Sequence, residues 1–128
     1  MSTTISHGIR VTAKSRYETG HSDPKVGRFV FSYRITIANH GETTIQLMRR
    51  QWKIRDSAGP MRTVEGPGVV GETPVLAPGM EFSYRSACEL RSGWGRMDGT
   101  YLMVPRPAGQ AFTVPVPTIM LLVPFASN

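Results

Sequence analysis

The sequence has a single cysteine, Cys88, so no internal disulfide can form, and an oxidising compartment is neither required nor suggested. Its longest apolar run is Ile119-Met120-Leu121-Leu122-Val123, far short of the ~20 residues a membrane-crossing helix needs. The opening Met1-Ser2-Thr3-Thr4-Ile5-Ser6-His7 lacks the apolar stretch and cleavage pattern of a secretory leader. The expectation is a soluble, cytoplasmic chain with no membrane insertion. Three histidines, His7, His21 and His40, are scattered and show no His-x-x-x-His spacing, so no metal ligands are expected. The nine acidic residues also stand singly, and no pair suggests general acid–base work. Glu65 and Glu72 flank a glycine-rich stretch; they could share a cation there, but links to surface arginines are expected. Cys88 has no neighbouring histidine in its segment and reads as a small buried thiol rather than a nucleophile. No catalytic residue and no cofactor is expected.

What the chain does have is turn chemistry. Ten prolines and thirteen glycines among 128 residues exclude a helix bundle, because each interrupts a helix interior. At 40% hydrophobic and 19% charged the composition is globular, and the length fits one domain over 1–128. Fifteen Lys and Arg, twelve of them Arg, oppose nine Asp and Glu for a net charge of +6. Such a surface attracts phosphates, nucleic acids or acidic proteins at long range, or serves solubility alone. The cations are dispersed, with no run longer than Arg49-Arg50, so a nucleic-acid partner is not expected.

The dominant period is two. Ile9, Val11, Ala13 and Tyr17 alternate with polar residues, and Phe29, Phe31, Tyr33, Ile35 and Ile37 do so more clearly. Asn39-His40-Gly41-Glu42 then reads as a hairpin turn. In residues 45–56 the phase changes: Ile45 and Leu47 share one face, Met48, Trp52 and Ile54 the other. A β-bulge near Leu47-Met48 reconciles the halves. Further strands are expected at 61–65, 81–90, 99–105 and, with Pro115 and Pro117 marking an edge or a bend, over 111–125 as one strand or as a pair divided at 117/118. Residues 91–96 read as irregular. About seven strands with no crossover helix predict an all-β antiparallel sandwich.

Two segments carry candidate chemistry. Residues 66–71 have the spacing Gly-x-Gly-x-x-Gly, which in dinucleotide folds precedes a helix N-terminus. Pro74 and Pro78 forbid that helix here. Two readings remain: a glycine-rich loop whose backbone grips an anion with help from Arg62, or glycines that merely permit turns. The second segment holds Trp94 between Gly93 and Gly95. Exposed beside Arg91 and Arg96, it would be a binding hot spot; alternatively it covers an open end of the sandwich. Trp52, on an alternating strand, reads as core.

These blocks are family-like in their order. Gly66-Pro67-Gly68-Val69-Val70-Gly71-Glu72-Thr73-Pro74, Leu76-Ala77-Pro78-Gly79 and Phe82-Ser83-Tyr84, with Trp52-Lys53-Ile54-Arg55-Asp56 before them and Gly95-Arg96-Met97-Asp98-Gly99-Thr100-Tyr101 after, resemble the ApaG family of small bacterial proteins. The resemblance covers nearly the whole chain. It implies an immunoglobulin- or fibronectin-III-like sandwich and an association with cobalt and magnesium resistance or efflux. It also implies genomic neighbourhood with a diadenosine tetraphosphate hydrolase. Related domains in F-box and polymerase-delta-interacting proteins imply a protein-interaction module. A pyrophosphate-type loop would map onto Gly66, Gly68, Val70 and Gly71. The chain departs from the family pattern at Ala87-Cys88-Glu89-Leu90-Arg91-Ser92-Gly93-Trp94, where a stretch rich in threonine and proline is expected.

The resulting expectation is a non-enzymatic module that binds an as yet unidentified protein partner, or a second copy of itself through edge strands. The alternative is a binder of a phosphate-containing small molecule, pyrophosphate or a dinucleoside polyphosphate, at the glycine loop. A chain without a spanning segment acts on cobalt or magnesium only indirectly.

Overall fold

The computed structural model describes residues 1–124. The described residues form nine strands: β1 (Ser2–Ser6), β2 (Ile9–Tyr17), β3 (Phe29–Asn39), β4 (Ile45–Asp56), β5 (Arg62–Pro67), β6 (Val75–Leu76), β7 (Glu81–Leu90), β8 (Trp94–Pro105) and β9 (Phe112–Leu122). Two single 3₁₀ turns, Thr19–His21 and Pro24–Val26, fill the loop between β2 and β3. One sheet has the order β1-β2-β3-β7; the other runs β5-β4-β8-β9, with β6 also paired to β4. All pairings are antiparallel, and the two sheets pack as a sandwich.

Period-two alternation builds this arrangement. On β3 the side chains of Phe31, Tyr33, Ile35 and Ile37 are buried, facing Leu47, Trp52, Tyr101 and Met103 of the other sheet in one core. Each fully buried large apolar side chain contributes roughly 1.5–3 kcal/mol by leaving water. The Trp52 ring lies 5.7 Å from Tyr33 and meets Tyr101 edge-on at 6.4 Å. The phase change on β4 is a bulge, for the register with β8 shifts between Leu47 and Arg49.

Several expectations need correction. The strands exceed seven because β1 is a polar Ser/Thr segment without alternation and β6 is only two residues long. Asn39-His40-Gly41-Glu42 is not a hairpin: β3 and β4 belong to different sheets, and the segment carries the chain between them. Asn39 is buried there, donating to the carbonyls of Thr43 and Leu76 and accepting from the Gly41 N–H, each at 2.9 Å. Residues 94–96 are not irregular but begin β8. The last segment needs no correction: of the two expected forms it is the single strand, Phe112–Leu122, and it lies on a sheet edge as Pro115 and Pro117 suggest. Phe125, placed in that strand by sequence, lies outside the described residues.

The two long flanks of the sandwich differ. Where β9 meets β1 and β2, the Thr4 hydroxyl donates to the Pro115 carbonyl at 2.8 Å and the Ser15 hydroxyl to that of Met120 at 3.2 Å. On the opposite flank β5 and β7 each end their sheet and do not pair with one another. That flank is open.

Candidate functional site

The glycine motif is the tip of a hairpin. Gly66 and Pro67 finish β5, and the Gly68 N–H donates to the Met48 carbonyl at 2.8 Å. Val69 and Glu72 exchange both backbone hydrogen bonds, at 2.8 and 2.9 Å, around Val70 and Gly71. Both tip residues have positive φ, 43° and 80°, which is the two-residue turn with left-handed geometry at each position. A valine there is strained, because a β-branched side chain tolerates this region poorly. Gly68 also has positive φ, 59°, and a Cβ on it would sit 2.1 Å from the Glu72 carbonyl oxygen. Three amides of the loop, those of Gly68, Val69 and Glu72, are therefore committed to the fold. Among the described residues, the amides of Val70 and Gly71 have no protein partner.

Under this hairpin lies Arg50 of β4. Its Nη1 donates to the carbonyls of Pro67 at 2.9 Å and Gly68 at 3.1 Å. Gly66 makes room for it, since a Cβ at that position would stand 3.3 Å from the same nitrogen. Arg62, at the start of β5, reaches across the open flank to the Glu89 carbonyl of β7 and to Cys88 Sγ, the latter at 3.7 Å. The Cys88 thiol is buried, and burial pushes its pKa up against the opposing pull of Arg62.

Between these groups the open flank forms a cleft of about 320 Å³. Arg62 and Val70, two of the residues singled out by sequence, line it together with Arg50, Tyr33, Tyr84 and Val69. Gly66, Gly68 and Gly71 do not line it; Gly66 shapes it through Arg50. Tyr84 of β7 and Tyr101 of β8 join hydroxyls at 2.5 Å across the sandwich. Burial raises the pKa of Tyr33 and Tyr84 above the ordinary phenol and that of Tyr101 well above it. Ser86 hydrogen-bonds Tyr33 and partly offsets the effect there, while Arg50 lowers all three.

The second candidate set lies elsewhere, on the outer face of the β5-β4-β8-β9 sheet. Trp94 is 45% exposed and directly opposite Leu122 of β9, which is 51% exposed. One step along, Arg96 faces Met120, 53% exposed. These four side chains share a face, and the diagonal neighbours lie within reach of an indole. On the other side of β8, Arg55 is opposite Arg96, and Arg55 Nη2 lies 3.4 Å from Met61 Sδ. The structure thus sets Trp94 on the surface and surrounds it with two further exposed apolar residues that sequence reasoning left in the last strand. Arg96 is paired with Asp98 through two hydrogen bonds at 2.9 and 3.0 Å. These hold the Asp98 carboxyl below the usual range. Arg91 sits apart, in the turn after β7, and its N–H donates to Asp56 at 3.0 Å. Burial opposes ionisation of Asp56, but backbone N–H donors from Arg91, Ala58 and Gly59 prevail and lower its pKa.

Among the described residues no group of three or more His, Cys, Asp or Glu is placed to hold a metal ion. No helix among them is long and apolar enough to cross a membrane. Glu65 accepts a long hydrogen bond from Gln51 at 3.5 Å and forms no ion pair among the described residues; the same holds for Glu72.

Comparison with known proteins agrees on one group. The profile described as ApaG domain matches residues 19–105. Protein ApaG of Anaeromyxobacter dehalogenans is 46% identical over 128 residues, covering 100% of both chains. Protein ApaG of Aromatoleum aromaticum is 43% identical over 124 residues, 97% of each. A Bordetella pertussis crystal structure assigned as an ApaA protein superposes with a TM-score of 0.86 at 39% identity, covering 91% of this chain and 94% of that one.

Proposed function

The chain belongs to the ApaG domain family, and from that premise we propose that it is a non-enzymatic, cytoplasmic protein-interaction module whose docking face is the surface around Trp94. One observation carries this reading: Trp94, Leu122 and Met120 form a contiguous exposed apolar patch on an otherwise regular sheet face. Isolated exposed apolar residues are common, but clustered ones bordered by polar groups mark interaction sites. Tryptophan with adjacent arginine is the composition of binding hot spots. Arg55 borders the patch beside Arg96, which is itself paired with Asp98, and the chain carries a net +6. The fitting partner therefore presents apolar side chains surrounded by carboxylates. Any effect of this protein on cobalt or magnesium tolerance then runs through that partner.

The test is paired capture from a lysate of the source cell, with the wild-type chain and Trp94→Glu as baits. The expected result is a small set of proteins retained by the wild type and lost with the variant, while both melt at similar temperatures. Equal retention by the two baits would overturn the reading.

A further inference from the structure

The open flank between β5 and β7 offers donors without matching acceptors. Tyr101 is fully buried, and Tyr84 is its one hydrogen-bond partner among the described residues. Two hydroxyl protons share that single contact, and Tyr101 has nowhere else to place its own. It therefore donates to Tyr84, and the Tyr84 proton is left for the cleft. Arg50 commits only Nη1 to the loop carbonyls, and Arg62 commits Nη2 to β7. Both guanidiniums keep further N–H groups, and both residues line the same space with Tyr33, whose oxygen already accepts from Ser86 and whose own proton remains to be placed. The one carboxylate there, Glu89, is drawn outward to Arg28 at 3.7 Å. Among the lining residues, Val64 and Val70 supply exposed apolar surface.

We infer that this cleft is a binding site for a small organic carboxylate, held by Arg50, Tyr33 and Tyr84 with its apolar body against Val64 and Val70. An acceptor-only, planar anion matches a donor-rich site, and a guanidinium recognises it by paired hydrogen bonds. A cavity of about 320 Å³ lies at the small end of ligand pockets, which selects a compact acid. The strained Val70 stands at the mouth of the cleft, and backbone strain of this kind gathers at ligand sites. This inference is independent of the Trp94 surface, which lies on the outer face of one sheet rather than between the two.

The experiment titrates the full chain with benzoate and separately with benzamide and inorganic phosphate, following backbone amides by NMR. Benzoate is expected to give saturable shifts confined to residues around Val69, Val70, Ala87 and Cys88, with a Kd on the order of 1 mM, as suits a fragment. Benzamide, which keeps the shape and loses the charge, is expected to bind at least about ten-fold more weakly. Arg50→Gln should abolish the shifts. Should that variant lose its dispersed spectrum, Tyr33→Phe decides, with an expected weakening of several-fold. Absence of saturable benzoate shifts, equal response to benzamide, tighter binding of phosphate at the same amides, or unchanged affinity in Tyr33→Phe would each overturn the assignment.

Discussion

The Tyr84 hydroxyl of β7 and the Tyr101 hydroxyl of β8 meet at 2.5 Å, and this contact is a polar tie between the inner faces of the two sheets. Tyr101 is completely buried, whereas Tyr84 borders the cleft. The two ends of the bond are therefore unequal in what they lose when it is broken.

Removing the Tyr84 hydroxyl strands a buried donor on Tyr101. Tyr84→Phe is expected to destabilise by about 1–3 kcal/mol, the cost of an unmet buried hydroxyl. Tyr101→Phe leaves Tyr84 its access to the cleft and should cost less. The double variant, which removes both polar atoms, should be more stable than Tyr84→Phe alone. Urea unfolding of the four proteins checks the order; a double variant weaker than both singles contradicts it.

Alkaline pH should destabilise the protein through its buried phenols and thiol. Burial raises the Tyr33, Tyr84 and Tyr101 phenols above 10.0 and the Cys88 thiol above 9.0. The unfolded chain releases these protons first, so from about pH 9 upward it binds fewer protons than the folded chain. Stability is then fully present below that pH and falls as pH rises toward the folded-state values. Calorimetry across pH 7–11 should show a melting temperature that declines beyond about pH 9; a rising one would contradict the assignment.

At the hairpin tip, Gly68→Ala is expected to cost about 2–4 kcal/mol, combining left-handed strain with the collision against the Glu72 carbonyl. Gly71→Ala meets open space and should cost only about 1–2 kcal/mol from its φ. Thermal melts separate the two. A bulky change at Gly68 thus reports on folding before it reports on any ligand.

Val70→Asn should stabilise the chain by about 1 kcal/mol, because asparagine followed by glycine suits a turn with two left-handed residues. A melting temperature at or below that of the wild type would show that Val70 is held by contacts stronger than its strain.

The sandwich is readable where its strands alternate: β3 and β7 stand out nearly at full length, and the β4 bulge follows from the phase change at Leu47-Met48. The crossing at Asn39 carries the sequence of a hairpin turn because asparagine and glycine serve both. What local pattern does not show is that the Asn39 amide, besides bonding the nearby Thr43 carbonyl, is buried on the carbonyl of Leu76, 37 residues along the chain. The start of β8 was hidden by Gly95, whose absent side chain is a matter of packing. A Cβ there would stand 2.6 Å from the Arg55 carbonyl oxygen and from the Leu90 side chain.

Of the candidate sites, Trp94 was visible as an aromatic residue among arginines, but its neighbours Met120 and Leu122 come from a strand pairing that local pattern does not specify. The cleft was less legible still. Arg62 and Val70 were singled out, yet Arg50, Tyr33 and Tyr84 stand on three strands of two sheets and share no sequence spacing.

The central claim, that the Trp94 surface docks a partner, is tested most directly by a photo-crosslinker in the living cell. With p-benzoylphenylalanine in place of Trp94, irradiation should give discrete adducts of higher mass. The same residue in place of Arg34, exposed on the outer face of the other sheet, should give none. Adducts from position 34 alone, or the same adducts from both positions, would contradict the account.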